Sequence, residues 1–299
     1  MKTFARLSRV VSDSSAVRRV GIVLVALVGT YFTATADGKT PIKISCPASA
    51  IDAFENWTSG ISWDQIANFK NANASRPVVD LVLQLQALKA GGLDFELQLE
   101  RALTYDLAKK QLLEGKVDLM AETIWDNEID EKNLLKSDTV IRQGEFVKGV
   151  YALPGNADLL KVTTLDELRG YSGAVVGTWA LDAKTMEEMK LKGLVKCPTP
   201  EIVFATIQKK QADFALWEFT ASPDMSVVIA GVKLVPVPNC KVAILGSRSW
   251  VVSKASTHAN ALHQALQAGT KILRENGTIE RAYRESGFFN PRVADWKRL

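Results

Sequence analysis

Short apolar runs alternate with longer segments of helical periodicity along most of this chain, and that alternation limits the folds it can adopt. In the first half, strands are predicted at 41–46, 95–99 and 117–121, and helices at 64–71, 78–89 and 104–114. Pro77 suits the first turn of the second helix, and Gly91 suits its end. Strands joined by helices in this order favour an α/β fold with parallel strands and crossover helices.

The second half repeats the alternation. Strands are predicted at 149–153, 174–177, 194–197, 213–217 and 250–253, and helices at 164–168, 182–192, 201–210, 258–275 and 278–286. Thr164 and Glu167 form a capping-box pattern at the first of these helices. About 263 residues follow position 36, which is enough for two α/β lobes or one large domain.

The N-terminal segment, residues 1–36, has the composition of an export signal. Five basic residues and one acid precede a 13-residue apolar run over 20–32, and Ala34, Thr35 and Ala36 follow. This order is typical of a secretory signal peptide, so we expect cleavage after Ala36 and a periplasmic protein. An uncleaved membrane anchor is the alternative, but the apolar run is shorter than the roughly 20 residues that a transmembrane helix needs.

The basic character of the chain resides in this signal segment. The whole sequence has 37 Lys and Arg against 33 Asp and Glu, whereas the part after residue 36 carries 32 of each. That part also has no basic stripe interleaved with aromatic residues. We therefore expect no nucleic-acid partner.

The histidines and cysteines do not form a metal-binding pattern. His258 and His263 are five residues apart on one predicted helix, whereas helical metal ligands are three or four apart. We expect no metal and no cofactor. An oxidising compartment would permit one disulfide among Cys46, Cys197 and Cys240, and their spacing does not say which two would pair.

Four further segments match one protein family in their order and spacing. They are 113–119 (LEGKVDL), 164–170 with 174–178, 211–215 (QADFA) and 260–278. Together they resemble the type II periplasmic solute-binding proteins. The resemblance is to extracellular solute-binding protein family 3, which includes the amino-acid receptors of ABC importers, and it covers about residues 78–289.

The resemblance implies two lobes joined by two crossover hinge segments, with a ligand cleft between the lobes. The first lobe would comprise residues 37–147 and 226–299, and the second would comprise 148–225. Hinge closure on the ligand would be the working motion. A cleft of this kind agrees with the rule that ligands of open α/β sheets bind at the carboxyl ends of the strands.

Two candidate ligand contacts lie in the second lobe. Gly177 and Thr178 follow a predicted strand and precede a helix, where free N–H groups and the helix dipole favour a negative group. The resemblance implies that this step holds a carboxylate, and that an acid near Glu218 takes the ammonium of the ligand. An ordinary turn and a surface acid are the alternatives.

The loop after the 117–121 strand supplies Glu122, Thr123 and Trp125 as further candidates. In the amino-acid receptors, this loop carries an Arg that clamps the ligand carboxylate. The Arg is absent here, and neither Trp nor Glu can replace a bidentate clamp. Arg142 is close in sequence and could substitute for it.

Tryptophans are candidates for the wall of the cleft. Trp125, Trp179 and Trp217 each lie just past a predicted strand end, and Trp57 follows the first strand. Aromatic faces can hold a flat or cationic ligand, although core or hinge packing is an equally good explanation of each ring. With the two glutamates, these rings would suit a ligand that carries an amine or another positive group.

We therefore expect a solute-binding protein, not an enzyme, that acts as a monomer and delivers a small polar ligand to an ABC permease. One alternative is an enzyme on the same fold, similar to cyclohexadienyl dehydratase, in which Glu122 or Glu218 could act as a general acid. The other is a ligand sensor that presents its closed form to a membrane partner.

Overall fold

Thirteen β-strands form two separate sheets in the computed structural model, which describes residues 38–299. The strands are β1 (Thr40–Pro47), β2 (Phe95–Ala102), β3 (Leu119–Met120), β4 (Ile124–Trp125), β5 (Leu134–Ile141), β6 (Val147–Ala152), β7 (Ser172–Val176), β8 (Gly193–Cys197), β9 (Phe214–Glu218), β10 (Val227–Ile229), β11 (Val232–Ala243), β12 (Arg248–Ser253) and β13 (Lys297–Arg298). The predicted signal peptide, with its cleavage after Ala36, lies outside the described residues.

Each sheet combines parallel and antiparallel pairs. The first has the order β2-β1-β3-β12-β4, with β5 paired to β12. In it β1 is parallel to β2 and β3, whereas β12 is antiparallel to its neighbours. The second has the order β10-β11-β6-β9-β7-β8, with β13 paired to β11. In it β7 is parallel to β8 and β9, and β6 is antiparallel to β9 and β11.

The chain passes between the sheets at two internal crossovers, from β5 to β6 and from β11 to β12. The predicted two-lobed α/β fold with two crossovers is thus confirmed. The strand pairing differs from the predicted lobe boundary at residue 225. Because β10 and β11 form a hairpin that extends the second sheet, residues 227–243 belong to the second sheet and not to the first.

The C-terminal tail forms a third connection between the lobes. It leaves the helices of the first lobe and returns to the second sheet, where β13 pairs with β11. Lys241 Nζ donates hydrogen bonds to the carbonyl oxygens of Val293 and Ala294, and Arg292 donates to those of Ser222 and Pro223. The tail is therefore fixed to the second lobe by hydrogen bonds of the Lys241 and Arg292 side chains as well as by strand pairing.

Eight α-helices cover the sheets of the described chain. They are α1 (Ala48–Thr58), α2 (Arg76–Ala90), α3 (Tyr105–Leu113), α4 (Leu165–Leu168), α5 (Ala180–Glu188), α6 (Pro200–Gln208), α7 (Ala259–Glu275) and α8 (Thr278–Glu285). None of them is long and apolar enough to cross a membrane.

The predicted helix at 64–71 is wrong. Only a single 3₁₀ turn, Trp63–Gln65, forms there, and the backbone N–H of Phe69 donates to the side chain of Glu285 instead of to a helical carbonyl. A tertiary contact of this kind has no local signal. The helix that does form in this part of the chain is α1, which follows Pro47 and buries an apolar face.

Close packing of α2 against α7 fixes the position of Arg76, the first residue of α2. Almost every residue of α2 from Val78 to Leu88 is buried. Gly269 of α7 lies so close to the carbonyl of Ala87 that a Cβ there would overlap it, and Gly91 makes the same approach to α7. The two helices therefore have little freedom to move relative to each other.

The three cysteines are buried free thiols. Cys46 lies in β1 of the first sheet, whereas Cys197 and Cys240 lie in strands β8 and β11 of the second. Burial raises the pKa of Cys46 above its ordinary value and that of Cys240 to about 11. Both shifts disfavour the thiolate, which is the reactive form of cysteine.

Candidate ligand cleft between the two lobes

The carboxyl ends of strands from both sheets meet where the lobes face each other. These ends carry five of the predicted contact residues, Glu122, Thr123, Gly177, Thr178 and Glu218. Two polar contacts join the lobes there. Thr178 Oγ1 donates to Asp106 Oδ2 at 2.7 Å, and Arg76 Nε donates to Glu218 Oε1 at 2.8 Å. The predicted region of the cleft is therefore closed by direct bonds between its two walls.

Arg76 is the centre of a buried ion-pair network. Besides Glu218, its guanidinium contacts Asp80 Oδ2 and Glu122 Oε2, each at 2.9 Å. The side chains of Arg76, Asp80 and Glu122 are 8% or less exposed, and that of Glu218 is 23% exposed. Because one cation serves three carboxylates, loss of Arg76 would leave buried negative charge without a counter-charge.

Asp80 organises the first-lobe side of this network. Its Oδ2 accepts from the backbone N–H and the hydroxyl of Thr123, both at 3.0 Å, and its Oδ1 accepts from Tyr283 Oη at 2.6 Å. The carboxylate thus joins α2 to the loop after β3 and to α8. This places Thr123 in a structural role that holds the loop of Glu122 in position.

Glu122 and Glu218 have pKa values shifted in opposite directions. Burial raises the pKa of Glu122 above its ordinary value, although Arg76 and Arg248 act against this. Burial also acts to raise the pKa of Glu218, but the charges of Arg76 and Lys148 outweigh it and the pKa is lowered. Glu218 is therefore the more strongly ionised of the two.

A second buried cation, Lys148, lies at the start of β6. Its Nζ is 2.5 Å from Asp182 Oδ1, and both side chains are almost fully buried. The same ammonium lies over the rings of Trp179, at 4.9 Å from the centroid, and Trp217, at 6.0 Å. The ring centroids of the two tryptophans are 5.5 Å apart. Because the Lys148 ammonium lies over both rings, their faces already contact a cation of the protein itself.

A third buried cation, Arg248, begins β12. Its Nε donates to Thr123 Oγ1 at 3.0 Å, and its Nη2 donates to the Thr123 carbonyl. The guanidinium lies 4.5 Å from the ring centroid of Trp125. Among residues 38–299, no carboxylate lies within ion-pair distance of Arg248, and in this respect it differs from Arg76 and Lys148.

The three cations surround one aromatic ring. Phe146, in the β5–β6 crossover, has Arg76 Cζ, Lys148 Nζ and Arg248 Cζ at 5.7, 5.6 and 5.5 Å from its ring centroid. Trp125 packs on the same ring at 4.9 Å. The charged groups of both lobes are therefore brought together beside a hinge segment.

The structure places the predicted residues in four groups. Glu122 and Glu218 are brought together by Arg76, and Gly177 and Thr178 are exposed at the meeting edges. Trp179 and Trp217 line the second-lobe side, half-buried. Thr123 and Trp125 are buried beneath the surface of the first lobe, and whether any of these residues contacts a ligand stays a prediction.

Two other predicted residues lie away from the cleft network. Trp57 packs edge to face on Phe69 at 5.8 Å in the core of the first lobe. Arg142 is exposed and forms no ion pair with any described residue, so it is not part of the Arg76 network. Sequence reasoning missed five charged residues of the network, namely Arg76, Asp80, Lys148, Asp182 and Arg248.

Solved structures with the same architecture include two receptors for small solutes. The probable amino-acid ABC transporter extracellular-binding protein ytmK from Bacillus subtilis has a TM-score of 0.55 at 12% identity, over 83% of this chain and 98% of that one. A periplasmic His/Glu/Gln/Arg/opine family-binding protein from Silicibacter pomeroyi, in complex with lysine, has a TM-score of 0.52 at 15% identity, over 84% and 98%.

A third structure is the ancestral amino acid-binding protein AncCDT-1, a precursor of cyclohexadienyl dehydratase. It has a TM-score of 0.52 at 16% identity, over 84% of this chain and 96% of that one. No protein-family model matches the chain, and no curated protein matches it by sequence. At these identities the comparisons establish the architecture, and the chain has the two-lobed fold of the type II periplasmic solute-binding proteins.

Proposed function

We propose that this chain is a periplasmic solute-binding protein that closes its lobes around a small polar ligand and presents the closed form to an ABC permease. It acts as a monomer, and no bond of the ligand is made or broken. The fold supports a binding role, and the three solved structures named above are all binding proteins. Fold alone does not select a ligand, so the proposal depends on the cleft.

The observation that carries the proposal is the Arg76 network. A single guanidinium in the first lobe bonds Glu122 of its own lobe and Glu218 of the other. These bonds form only when the lobes approach, and they exclude water from the charges that they join. The network therefore supports a closed state that is one of two positions of a hinge.

Opening would break two bonds between the lobes at this edge, Arg76 to Glu218 and Thr178 to Asp106. A ligand that enters the open cleft would have to compensate for them on closure. Gly177, Thr178, Trp179, Trp217 and the two glutamates are the surfaces that we propose it contacts. Because Arg76 holds both glutamates, an amine of the ligand would compete with Arg76 for them.

A thermal-shift screen of the exported protein tests the proposal. Amino acids, polyamines, betaines and organic acids form the panel. A ligand that binds only the folded state raises stability by RT ln(1 + [L]/Kd), about 2.7 kcal/mol at a hundredfold excess over Kd. Small-angle scattering should show a smaller radius of gyration with the same ligand. If no compound shifts the melting temperature, the binding role is wrong.

A matched pair of variants assigns the binding to the cleft. Glu218→Gln removes the charge at the meeting edge, whereas Glu201→Gln makes the same change at an exposed position of α6 in the same lobe. We expect the first to weaken binding and the second to leave it unchanged. Equal affinity of both variants would place the ligand elsewhere.

One observation favours a second candidate, a periplasmic enzyme on this fold. Burial raises the pKa of Glu122, and an upward shift is the change that suits a carboxyl group to act as a general acid. A dehydratase acting on a prephenate-type substrate is the specific form of this candidate. Release of product from prephenate by the protein, lost in Glu122→Gln, would replace the receptor proposal with it.

The periplasmic location has its own test. Expression of the full chain in a Gram-negative host should yield a periplasmic protein whose mass corresponds to a chain beginning at Asp37. A mass that corresponds to the full chain, recovered with the membranes, would instead indicate an uncleaved anchor.

A further inference from the structure

Arg248 carries a buried positive charge that the protein does not neutralise with a contacting acid. The residue is 4% exposed, and among residues 38–299 no Asp or Glu lies within ion-pair distance of it. Burial of a charge without a partner is costly, and an arginine cannot avoid that cost by losing its proton. The unpaired guanidinium therefore needs an explanation.

A comparison with Lys241 shows why the protonation state matters. Lys241 is also buried without a contacting acid, but it donates to two carbonyl oxygens of the C-terminal tail. Burial lowers the pKa of Lys241 from its ordinary value. A guanidinium, unlike an amine, keeps its charge on burial, so the two side chains are not equivalent.

The contacts of Arg248 use only part of its donor set. Nε and Nη2 both donate to Thr123, a neutral residue, and no described residue accepts from Nη1. Glu122 is close enough for the charge of Arg248 to act on its pKa, but its carboxylate is held by Arg76 and forms no ion pair with Arg248. Part of the planar guanidinium is thus left for another acceptor.

A second unsatisfied donor lies beside it. The hydroxyl of Tyr105, the first residue of α3, is buried and has no hydrogen-bond partner among the described residues. The ring of this tyrosine lies 5.9 Å from Arg248 Cζ. Burial raises the pKa of Tyr105, so the phenol keeps its proton and remains a donor. A buried hydroxyl without a partner, on the ring that packs against Arg248, and a guanidinium with an unused nitrogen require the same complement, an acceptor that carries negative charge.

We infer that Arg248, with the Tyr105 hydroxyl, is the anchor for an anionic group of the ligand, and that this group is a carboxylate. The inference rests on the proposed function, because the ligand reaches Arg248 only when the lobes separate. A carboxylate is favoured over a phosphate because four carboxylates, Asp80, Glu122, Asp182 and Glu218, lie in the same cleft. They would repel a dianion more strongly than a single negative charge.

This inference places the anionic group of the ligand on Arg248. The sequence suggested a positive group held by the two glutamates and the tryptophans, and the resemblance implied a carboxylate at Gly177 and Thr178. In the structure Arg76 already engages the glutamates and Lys148 already covers the faces of Trp179 and Trp217. Arg248, in contrast, has no contacting acid in the cleft. An acidic group on the ligand would supply one, so its presence decides which solutes bind.

Matched acids and amides test the anchor. Propionate, benzoate and 4-aminobutyrate are each titrated beside the corresponding carboxamide into the protein purified after export of the full chain. We expect at least one acid to bind at least about tenfold more tightly than its amide, because only the acid supplies a charged acceptor. A compound that binds equally well in both forms would overturn the anchor.

The variants locate the effect. Arg248→Gln should raise the Kd of the acid about 30-fold or more, the cost of removing one partner of a buried charge pair. Arg248→Lys keeps the charge but loses the planar fork, and should give an intermediate value. Arg274→Gln is the matched control, because this arginine of the first lobe likewise donates to carbonyls, those of Thr139 and Val140, and forms no ion pair with a described residue. It should leave the Kd unchanged.

The outcomes separate the anchor from the proposed function. Retained affinity in Arg248→Gln overturns the anchor alone, as does a tight ligand without any acidic group in the wider panel. Failure of every acid, amide and panel compound to bind overturns both. If Arg248→Gln does not fold, as judged by circular dichroism, the Arg248→Lys variant carries the test, and an unchanged acid-to-amide ratio in it overturns the anchor.

Discussion

Arg76 Nε lies 2.8 Å from Glu218 Oε1, a contact that joins the first residue of α2 in one lobe to the last residue of β9 in the other. The same guanidinium bonds Asp80 and Glu122, so the inter-lobe contact belongs to a buried network and is not an isolated surface pair. Exposed ion pairs contribute little to stability, whereas removal of one partner from a buried set is costly. The state of the hinge therefore depends on Arg76.

Replacement of Arg76 by Gln should destabilise and open the protein. Three carboxylates would lose their counter-charge, and we expect the free energy of unfolding to fall by about 3–5 kcal/mol. Urea denaturation measures the loss, and small-angle scattering should show a larger radius of gyration. Arg284→Gln is the control, because Arg284 pairs with Glu280 on the exposed face of α8 and should change neither quantity appreciably. Equal effects of the two variants would contradict the central role of Arg76.

The opposite pKa shifts of Glu122 and Glu218 predict opposite responses to neutralisation. The pKa of Glu218 is lowered in the folded state, so its ionised form contributes stability above the unfolded pKa, and this is lost as pH falls through the folded pKa. The pKa of Glu122 is raised, so its ionisation costs stability as pH rises from the unfolded pKa to the folded one. Glu218→Gln should therefore be more destabilising than Glu122→Gln at pH 7.5.

Urea denaturation of both variants between pH 4 and pH 8 provides the check. The difference between wild type and Glu122→Gln should become smaller as pH falls, because Glu122 then carries a proton in the wild type too. The stability gap for Glu218→Gln should stay nearly constant over most of this range and begin to narrow only at its acid end, because the folded pKa of Glu218 is lowered. A greater loss for Glu122→Gln at pH 7.5 would show that the assignment of the two shifts is reversed.

The architecture was predictable because its signals are local. The capping box of Thr164 and Glu167 forms with both of its hydrogen bonds, and β9 begins one residue after its predicted start. Alternating strand and helix patterns also indicated the α/β class, whereas the two lobes were implied by the family resemblance. The predicted helix at 64–71 does not form because a distant residue determines the structure there. The backbone N–H of Phe69 donates to the side chain of Glu285 and not to a helical carbonyl.

The contacts of the cleft could not be predicted, because their partners are remote in the sequence. Arg76 and Glu218 are 142 residues apart, and Arg248 is 125 residues from Thr123. Periodicity reports which face of an element is buried, but not which strand ends meet across a hinge. The four-residue spacing of Arg76 and Asp80 is a signal that could have revealed one ion pair of the network, but not its other partners.

The buried pair of Lys148 and Asp182 should show strong coupling in a double-mutant cycle. Lys148→Met alone leaves the Asp182 carboxylate buried without a partner, and we expect a loss of about 3–5 kcal/mol. The double variant Lys148→Met, Asp182→Leu should recover most of it, because no unpaired charge remains. Urea denaturation measures all three variants.

An exposed pair in the same lobe is the control for this cycle. Lys233 and Asp224 lie 2.6 Å apart, but each side chain is about half exposed. Neutralisation of one or both should change stability little, since solvent screens the pair. If the coupling free energy of Lys148 and Asp182 were no larger than that of Lys233 and Asp224, the Lys148–Asp182 contact would not be an important ion pair in solution.

Gly287 allows the C-terminal tail to reach the second lobe, and a side chain there should be poorly tolerated. Its φ is +85°, and a Cβ would overlap the backbone of Thr220 and Ala221. Gly277 has a similar φ of +75° with no atom within 4 Å of an added Cβ, so Gly277→Ala isolates the cost of the backbone conformation, about 1–2 kcal/mol. Gly287→Ala should cost about 1–3 kcal/mol more, because the tail must move away from the second lobe.

Urea denaturation compares the free energies of unfolding of the two variants. Faster tryptic cleavage after Arg292 in Gly287→Ala alone should report release of the tail. Equal stability and equal cleavage of the two variants would mean that the tail does not pack against the second lobe in solution.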